Sequence, residues 1–103
     1  MHALLKHPLV DCDLEEAALW YNRRNANVAD RLIDATQKTM RLAATDPLRF
    51  PIVFGVYRRI RVPGFRYAVY FKVQNGTVTI LALIHGARDV ESLLANRDPM
   101  QDL

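Results

Sequence analysis

The sequence predicts an α+β fold in the order β-α-α-β-β-β, with a helical hairpin packed on one face of a small, mostly antiparallel sheet and a short C-terminal helix. Two stretches with helical periodicity are separated by only a few residues. Three stretches rich in β-branched and aromatic residues then follow, at residues 56–62, 67–73 and 77–84. With 103 residues, half of them hydrophobic, the chain is expected to form a single domain from 1 to 103 around one core.

The N-terminal residues favour a strand. The stretch from Ala3 to His7 is short and mostly apolar, and Pro8 follows it. A proline restricts the preceding residue to extended geometry. We therefore expect a first strand that ends at His7.

Two aspartates are candidates for the start of the first helix. With Asp13 rather than Asp11 as the N-cap, Glu16 falls at the third helical position, as in a capping box. Asn25 is a plausible left-handed residue at the C-terminal end. The residues that recur at the spacing of one helical face are Leu14, Ala17, Ala18 and Tyr21.

The second helix is predicted from Asn27, as its N-cap, to about Ala44, and Asp46-Pro47 stops it. Its apolar stripe contains Ala29, Leu32, Ile33, Thr36, Met40 and Ala43. Because the connection between the helices is so short, they are expected to form an antiparallel pair.

The rest of the chain is predicted to supply most of the sheet. Residues 48–55 are expected to be a loop whose Phe50 and Phe54 pack under the sheet. Asn75-Gly76 predicts a type I′ hairpin. Residues 77–84 become almost continuously apolar, which indicates a strand buried on both faces in the interior of the sheet.

The C-terminal end is predicted to be a short helix followed by a tail. Asp89 is a candidate cap for a helix through Ala95. Residues 96–103 are polar and contain a proline, so we expect a loose tail.

The positive charge is concentrated in the middle of the chain, on the sheet face away from the hairpin. Residues 47–88 contain no Asp or Glu. An uncompensated basic surface suits an anionic partner, although arginines also occupy solvated positions on exposed sheet faces. Alternation in residues 56–62 places Arg59 and Arg61 on one face and Arg58 on the other. The candidate anion-binding residues are Arg58, Arg59, Arg61, Arg66 and Arg88.

The single cysteine and the hydropathy pattern indicate the cellular compartment in which the protein is expected. Cys12 has no partner for an internal disulfide and lacks metal-ligand spacing. No apolar run approaches the roughly 20 residues that a membrane span needs, and no signal peptide is recognisable. We expect a cytoplasmic protein without a metal or a cofactor.

The residues offer little catalytic chemistry. The sequence has no Gly-rich phosphate loop and no Gly-x-Ser-x-Gly motif. Arginine clusters bind phosphates, and His85 is a candidate acid or base. His85 also suits a structural role, as a hydrogen-bonded residue at a strand end.

Three segments resemble the RelE/ParE family of bacterial toxins from type II toxin–antitoxin operons. They read DLEEAALWY, ADRLIDATQKTMRLAATDPLRFP and RRIRVPGFRYAVYFKVQNGTVTILALIHGARD. The most specific features are Arg61 with Tyr67 and Tyr70, and the His-Gly-Ala-Arg-Asp ending at 85–89. The resemblance covers about Leu9 to Leu94, and it implies the β-α-α-β-β-β fold.

The family contains two activities, and the resemblance distinguishes them by residue. RelE-like members are ribosome-dependent mRNA endoribonucleases. Carried over by position, their site implies Arg59, Arg61 and Arg88. His85 is the candidate proton acceptor, although it does not stand where the nuclease members keep theirs. The chain departs from that site, because Tyr67 stands where the third-strand arginine would be and no aromatic residue follows Arg88. Neighbouring Arg66 is a candidate substitute for that arginine.

ParE-like members lack the nuclease residues and poison DNA gyrase by binding it. This chain resembles them better in its His-x-x-Arg-Asp ending. The resemblance leaves three hypotheses: a gyrase-binding toxin, an mRNA endoribonuclease, and an inactive binding module. Each implies a toxin–antitoxin hetero-oligomer with an antitoxin helix, acidic or amphipathic, along the apolar and basic grooves. Trp20 and Tyr21 are the candidate antitoxin contacts.

Overall fold

The computed structural model describes residues 3–86 and 89–98. Five strands form one sheet: β1 (Ala3–Lys6), β2 (Ile52–Phe54), β3 (Tyr57–Arg61), β4 (Tyr67–Gln74) and β5 (Thr77–His85). The helices are α1 (Leu9–Asn22), α2 (Ala26–Thr45) and α3 (Val90–Arg97), and a 3₁₀ turn at Pro47–Arg49 precedes β2. The predicted α+β class, with a helical hairpin on one face and a short C-terminal helix, is confirmed.

The sheet has the strand order β1-β5-β4-β3-β2, in which only the β1–β5 pair is parallel. Asn75 and Gly76 both have positive φ, 52° and 74°, as the predicted type I′ turn between β4 and β5 requires. β5 lies inside the sheet, and its residues from Ile80 to Ile84 are buried. The expectation of an interior strand is therefore confirmed.

Both faces of the sheet carry apolar packing. On the hairpin side, Leu32 and Ala43 of α2 pack against Phe71 and Ile80 of the sheet. On the far side, Leu94 of α3 covers a second cluster. This second cluster contains Tyr57, Ala68, Tyr70, Leu81, Ala82 and Ile84. The far face is thus largely a second core under α3, and the arginines predicted there occupy only its open end.

α1 begins earlier than predicted. It starts at Leu9, after Pro8, whose φ of −55° and ψ of −30° are already helical. The imidazole Nδ1 of His7 accepts a hydrogen bond from Leu9 N at 3.0 Å, so a first-turn donor is satisfied without an aspartate cap. The prediction of Asp11 or Asp13 as N-cap is therefore wrong, because both lie inside the helix.

The turn between the helices also differs from the prediction. Asn25, not Asn27, caps α2, because Asn25 Oδ1 accepts from Asn27 N at 2.9 Å. Asn25 has a φ of −165° and is extended, so its predicted left-handed conformation is also wrong. An extended residue with a side-chain acceptor is the geometry that an N-cap needs.

The predicted loop at 48–55 contains an edge strand. β2 pairs with β3 over only a short, irregular stretch, and such a short apolar run after Pro51 carries no periodicity that would reveal it. The two aromatics of residues 48–55 pack on opposite faces of the sheet. Phe50 lies edge-on to Phe71 at 6.4 Å between ring centroids, and Phe54 lies against Tyr57 at 5.9 Å.

The C-terminal helix is longer than predicted and firmly attached. Asp89 caps it as predicted, since Asp89 Oδ1 accepts from Ser92 N at 3.3 Å. The helix continues to Arg97, and Asp98 is buried. The expected loose tail is therefore wrong for residues 96–98, which are fixed by charges far away in the sequence. Residues 99–103 lie outside the described residues.

Candidate functional site: an arginine cleft at the end of the sheet

A cleft opens where β4 begins and β5 ends. It encloses about 390 Å³. Its lining consists of Arg59, Arg61, Phe65, Arg66, Tyr67, Ala68, Tyr70, His85 and Gly86. We call this site the arginine cleft. It brings together three of the five predicted anion-binding arginines and the predicted acid or base, His85.

The β3–β4 hairpin positions these arginines. Arg59 and Arg61 alternate on one face of β3, where they pair in register with Tyr70 and Ala68 of β4. Gly64 has a φ of 82°, and only a glycine adopts such a conformation readily. The chain therefore turns sharply after β3 and delivers Arg66 to the same cleft. Arg61 and Arg66 are exposed, and Arg59 is half-buried.

Within the described ranges, no negative charge compensates the arginine cleft. Over residues 3–86 and 89–98, none of Arg59, Arg61 and Arg66 forms an ion pair. No carboxylate of the described residues lines the cleft. Planar guanidinium groups without carboxylate partners are suited to bind phosphate or carboxylate groups bidentately.

Two other cations of residues 47–88, which we call the basic segment, have structural contacts instead. Arg58 lies on the opposite face of β3, and its Nη1 donates to the carbonyl oxygen of Phe50 at 2.6 Å. Lys72 is buried, and its Nζ lies 2.6 Å from Asp98 Oδ1. The structure therefore does not bring Arg58 into the arginine cleft. Arg88, the fifth predicted residue, lies outside the described residues.

Aromatic rings form the wall between the arginine cleft and α1. Tyr67 and His85 face each other across β4 and β5 with ring centroids 5.3 Å apart. Both residues also line a neighbouring cavity of about 440 Å³ that reaches Trp20 and Tyr21 on α1. A further opening of about 600 Å³ connects the same α1 aromatics with Arg66. The predicted antitoxin contacts and the arginines therefore border one continuous surface.

The α1 aromatics are held in place by their neighbours. Tyr21 packs edge-on against Trp20 at 4.7 Å and against Phe65 at 5.4 Å. Arg24 lies over the Trp20 ring, with Cζ 3.6 Å from the ring centroid. Trp20 nevertheless remains 49% exposed, so its ring is accessible at the surface.

Phe65 is the site residue that the sequence analysis missed. It lies in the turn between β3 and β4, where it contacts Tyr21 and lines the arginine cleft. The signal for it was present, because an aromatic residue directly after Pro63-Gly64 is unusual in a polar turn. Its packing partner on α1, Tyr21, could not be inferred from the sequence, because α2, β2 and β3 separate the two residues along the chain.

Two ion-pair contacts, which we call latches, attach the C-terminal end of α3 to the rest of the fold. The first joins α3 to α1. Arg97 binds Asp13 bidentately, with Nη1–Oδ2 and Nη2–Oδ1 distances of 2.5 and 2.8 Å. Asp13 Oδ2 also accepts from Leu83 N at 3.1 Å, and Leu81 O accepts from Arg97 Nη1 at 3.1 Å. The hydrogen bond to Asp13 raises the pKa of Arg97 above its ordinary value. Asp13 is therefore a tertiary contact rather than a helix cap.

The second latch is buried. Asp98 accepts from Tyr57 Oη at 2.8 Å and from Lys72 Nζ at 2.6 Å. Burial, together with the nearby Asp98 carboxylate, raises the pKa of Tyr57 to about 12. The two latches fix the C-terminal end of α3 over the second core, so the arginine cleft remains as the open end of that face.

The described residues offer no metal centre. In the ranges 3–86 and 89–98, no group of three or more His, Cys, Asp or Glu side chains is placed to hold a metal ion. The helices within these ranges are also too short or too polar to cross a membrane.

Comparison with known proteins identifies the family. The sequence-family model for the ParE toxin of the type II toxin–antitoxin system parDE matches residues 4–90 of this chain. A solved structure described as the chromosomal ParDE TA system from P. aeruginosa superposes with a TM-score of 0.73 at 13% identity, covering 82% of this chain and 96% of that chain. No curated protein matches by sequence. Because the family model spans most of the chain and the fold agrees, the protein belongs to the ParE toxin family of type II toxin–antitoxin systems.

Proposed function

We propose that the protein arrests growth by binding DNA gyrase, with no chemistry of its own, and that a cognate antitoxin neutralises it. Membership of the ParE toxin family supports the toxin role. The observation that favours binding over RNA cleavage is Tyr67, which stands in the arginine cleft where a nuclease of the related type would have an arginine.

In this proposal the arginine cleft contacts the target. Arg59, Arg61 and Arg66 supply three guanidinium groups without carboxylate partners among the described residues, at the open end of the sheet. Charged surfaces of this kind increase association rates and select a partner of opposite sign. Arg88 joins the set by its sequence position alone. The sequence analysis also named Arg58, but its hydrogen bond to Phe50 on the opposite face of β3 favours a structural role, so we leave Arg58 out of the proposed contact.

The antitoxin contact is proposed at the α1 aromatics. Trp20 is half-exposed and Tyr21 lies beside it, on the surface that continues into the arginine cleft. Large aromatic residues commonly anchor interfaces. An antitoxin segment on Trp20 and Tyr21 would therefore lie close enough to cover the arginines, which supports neutralisation by occlusion.

A ribosome-dependent mRNA endoribonuclease is the second candidate, because Arg59, Arg61 and His85 line the same cleft. In that case His85 would accept the proton of a 2′-hydroxyl, and the arginines would stabilise the charge that develops on the adjacent phosphate. An inactive binding module with the same fold is the third.

Inducing the gene alone, and scoring growth, plasmid supercoiling and RNA integrity together, separates the three candidates. The proposal predicts growth arrest with altered supercoiling and intact mRNA. It also predicts that purified toxin at micromolar concentration inhibits supercoiling by purified gyrase. Unaffected gyrase would contradict it. Codon-specific mRNA cleavage would establish the nuclease, and unimpaired growth would indicate the inactive module.

A further inference from the structure

A second groove lies on the outer side of the helical hairpin, between α1 and α2. It encloses about 350 Å³ and has an apolar floor that includes Leu14, Ala18 and Ile33. Leu19, which also lines it, is 51% exposed. We call this surface the hairpin groove. An exposed apolar groove that the fold does not fill is typical of a docking site for a partner.

The length and shape of the hairpin groove fit a helix. Its α1 wall extends from Asp11 to Asn22, which at the rise of an α-helix is about 16 Å, or three turns. Its floor contains small side chains, Ala18 on α1 and Ala29 on α2, which let another helix approach closely. An amphipathic helix laid into such a groove is a common mode of peptide recognition.

The rim of the hairpin groove is acidic. Asp11 and Glu15 border it on α1, and Asp30 borders it on α2, whereas no Lys or Arg in the described part of the chain lines it. Asp11 is compensated by Lys6 at 2.7 Å. Over residues 3–86 and 89–98, Glu15 and Asp30 form no ion pair. The local charge is therefore opposite in sign to the chain's net charge of +3.

This charge selects the occupant. A second copy of the chain, docked symmetrically through the same groove, would place the rim carboxylates of Glu15 and Asp30 against each other. An acidic segment would be repelled for the same reason, and it would suit the arginine cleft instead. A helix with Lys or Arg beside its apolar stripe would be attracted at both sides of the groove.

We propose that the hairpin groove is a second docking surface, whose occupant is a cationic amphipathic α-helix of a partner protein. The helix would place apolar residues at i, i+3, i+4 and i+7 on the floor and Lys or Arg beside Glu15 and Asp30. This site is separate from the arginine cleft, because α1 stands between them. Asp13, Glu16 and Trp20 line the inner side of α1, and Asp11, Glu15 and Leu19 line the outer side.

The test uses the full chain and two stapled helical peptides with the same leucine stripe, one with Lys and the other with Glu at the flanking positions. Fluorescence anisotropy should show the Lys peptide binding at least about tenfold more tightly, with a dependence on salt. Amide chemical-shift changes should map to the outer side of α1 and to the start of α2. Equal affinity for the two peptides, no binding of either, or shifts centred on the arginine cleft would overturn the proposal.

Matched variants separate charge from shape. Glu15→Lys with Asp30→Lys should weaken binding of the Lys peptide by about tenfold or more. Glu91→Lys, an equally exposed carboxylate on α3, should change it less than twofold, about the level of a distant site. Leu19→Ser removes apolar contact without altering charge, so it should also weaken binding while circular dichroism and gyrase inhibition stay unchanged. An equal effect of Glu91→Lys, or no effect of Leu19→Ser, would contradict a docked helix.

Discussion

At the scale of single residues, the basic segment separates into two kinds of cation. Arg59, Arg61 and Arg66 face the arginine cleft, whereas Lys72 is only 6% exposed and is neutralised by Asp98. A count of charged residues in the sequence does not distinguish these two kinds, because each cation adds the same positive charge. The difference arises because Asp98 lies 26 residues from Lys72 in the chain. Burying a charged pair is tolerated only when the partners are close and hydrogen-bonded, and Tyr57 supplies a further hydrogen bond to Asp98.

Replacing Tyr57 by phenylalanine should remove that hydrogen bond and cost about 2 kcal/mol of unfolding free energy at neutral pH. Burial and Asp98 raise the pKa of Tyr57 from 10.0 to about 12. A raised pKa means that the folded state holds the proton more tightly than the unfolded state does. The corresponding stabilisation is therefore complete below pH 10.0 and is lost as the pH rises through about 12.

Urea unfolding of wild type and Tyr57→Phe, measured from neutral pH to about pH 12, provides the check. The free-energy difference between the two proteins should shrink over the alkaline part of the range, because only the wild type loses the stabilisation of Tyr57. A difference that stays constant from neutral to strongly alkaline pH would show that burial does not bias the titration of this phenol.

At the scale of elements, regular periodicity predicts the core helices and strands, and local chemistry predicts their boundaries less well. The stripe of α2 and the Asn75-Gly76 turn are confirmed because neighbours within a few residues determine them. β2 is missed because three apolar residues have no distinguishable period. The first cap is wrong because α1 already begins at Leu9, and the Asp13 carboxylate binds Arg97, 84 residues away in the chain.

The latch between α1 and α3 is the element-scale feature that can be tested most sharply. Arg97→Met removes one partner of a pair whose side chains are only 13% and 15% exposed, so it should cost about 3 kcal/mol, near the lower end for a broken buried pair. Lys38→Met breaks the Lys38–Asp34 pair, which is 66% and 63% exposed, and should cost at most about 0.5 kcal/mol.

Hydrogen exchange adds a local measurement to the urea unfolding of these two variants. In Arg97→Met, the amides of α3 should lose more protection than those of α2, because the helix is released from α1. In Lys38→Met, the protection of α3 should be unchanged. Similar unfolding free energies for the two variants would contradict the structural role of the Arg97–Asp13 pair.

At the scale of the whole molecule, two surfaces of opposite character lie on either side of α1. The arginine cleft is positive and aromatic, and the hairpin groove is apolar with an acidic rim. The sequence allowed the arginines of β3 to be placed on a common face, because a strand alternates. It did not allow the cleft to be predicted, because Tyr67 and His85 reach it around the end of the sheet from the hairpin side. The hairpin groove likewise depends on the way in which two helices pack.

Gyrase binding through the arginine cleft can be tested in a supercoiling assay with purified gyrase and a triple variant of the cleft, Arg59→Ala with Arg61→Ala and Arg66→Ala. Arg58→Gln is the matched control, because this neighbouring arginine is held by Phe50 outside the cleft. We expect inhibition by wild type and by folded Arg58→Gln, and at least about tenfold weaker inhibition by the folded triple variant, because charge-assisted contacts are lost. Undiminished inhibition by the triple variant would contradict gyrase binding through the cleft.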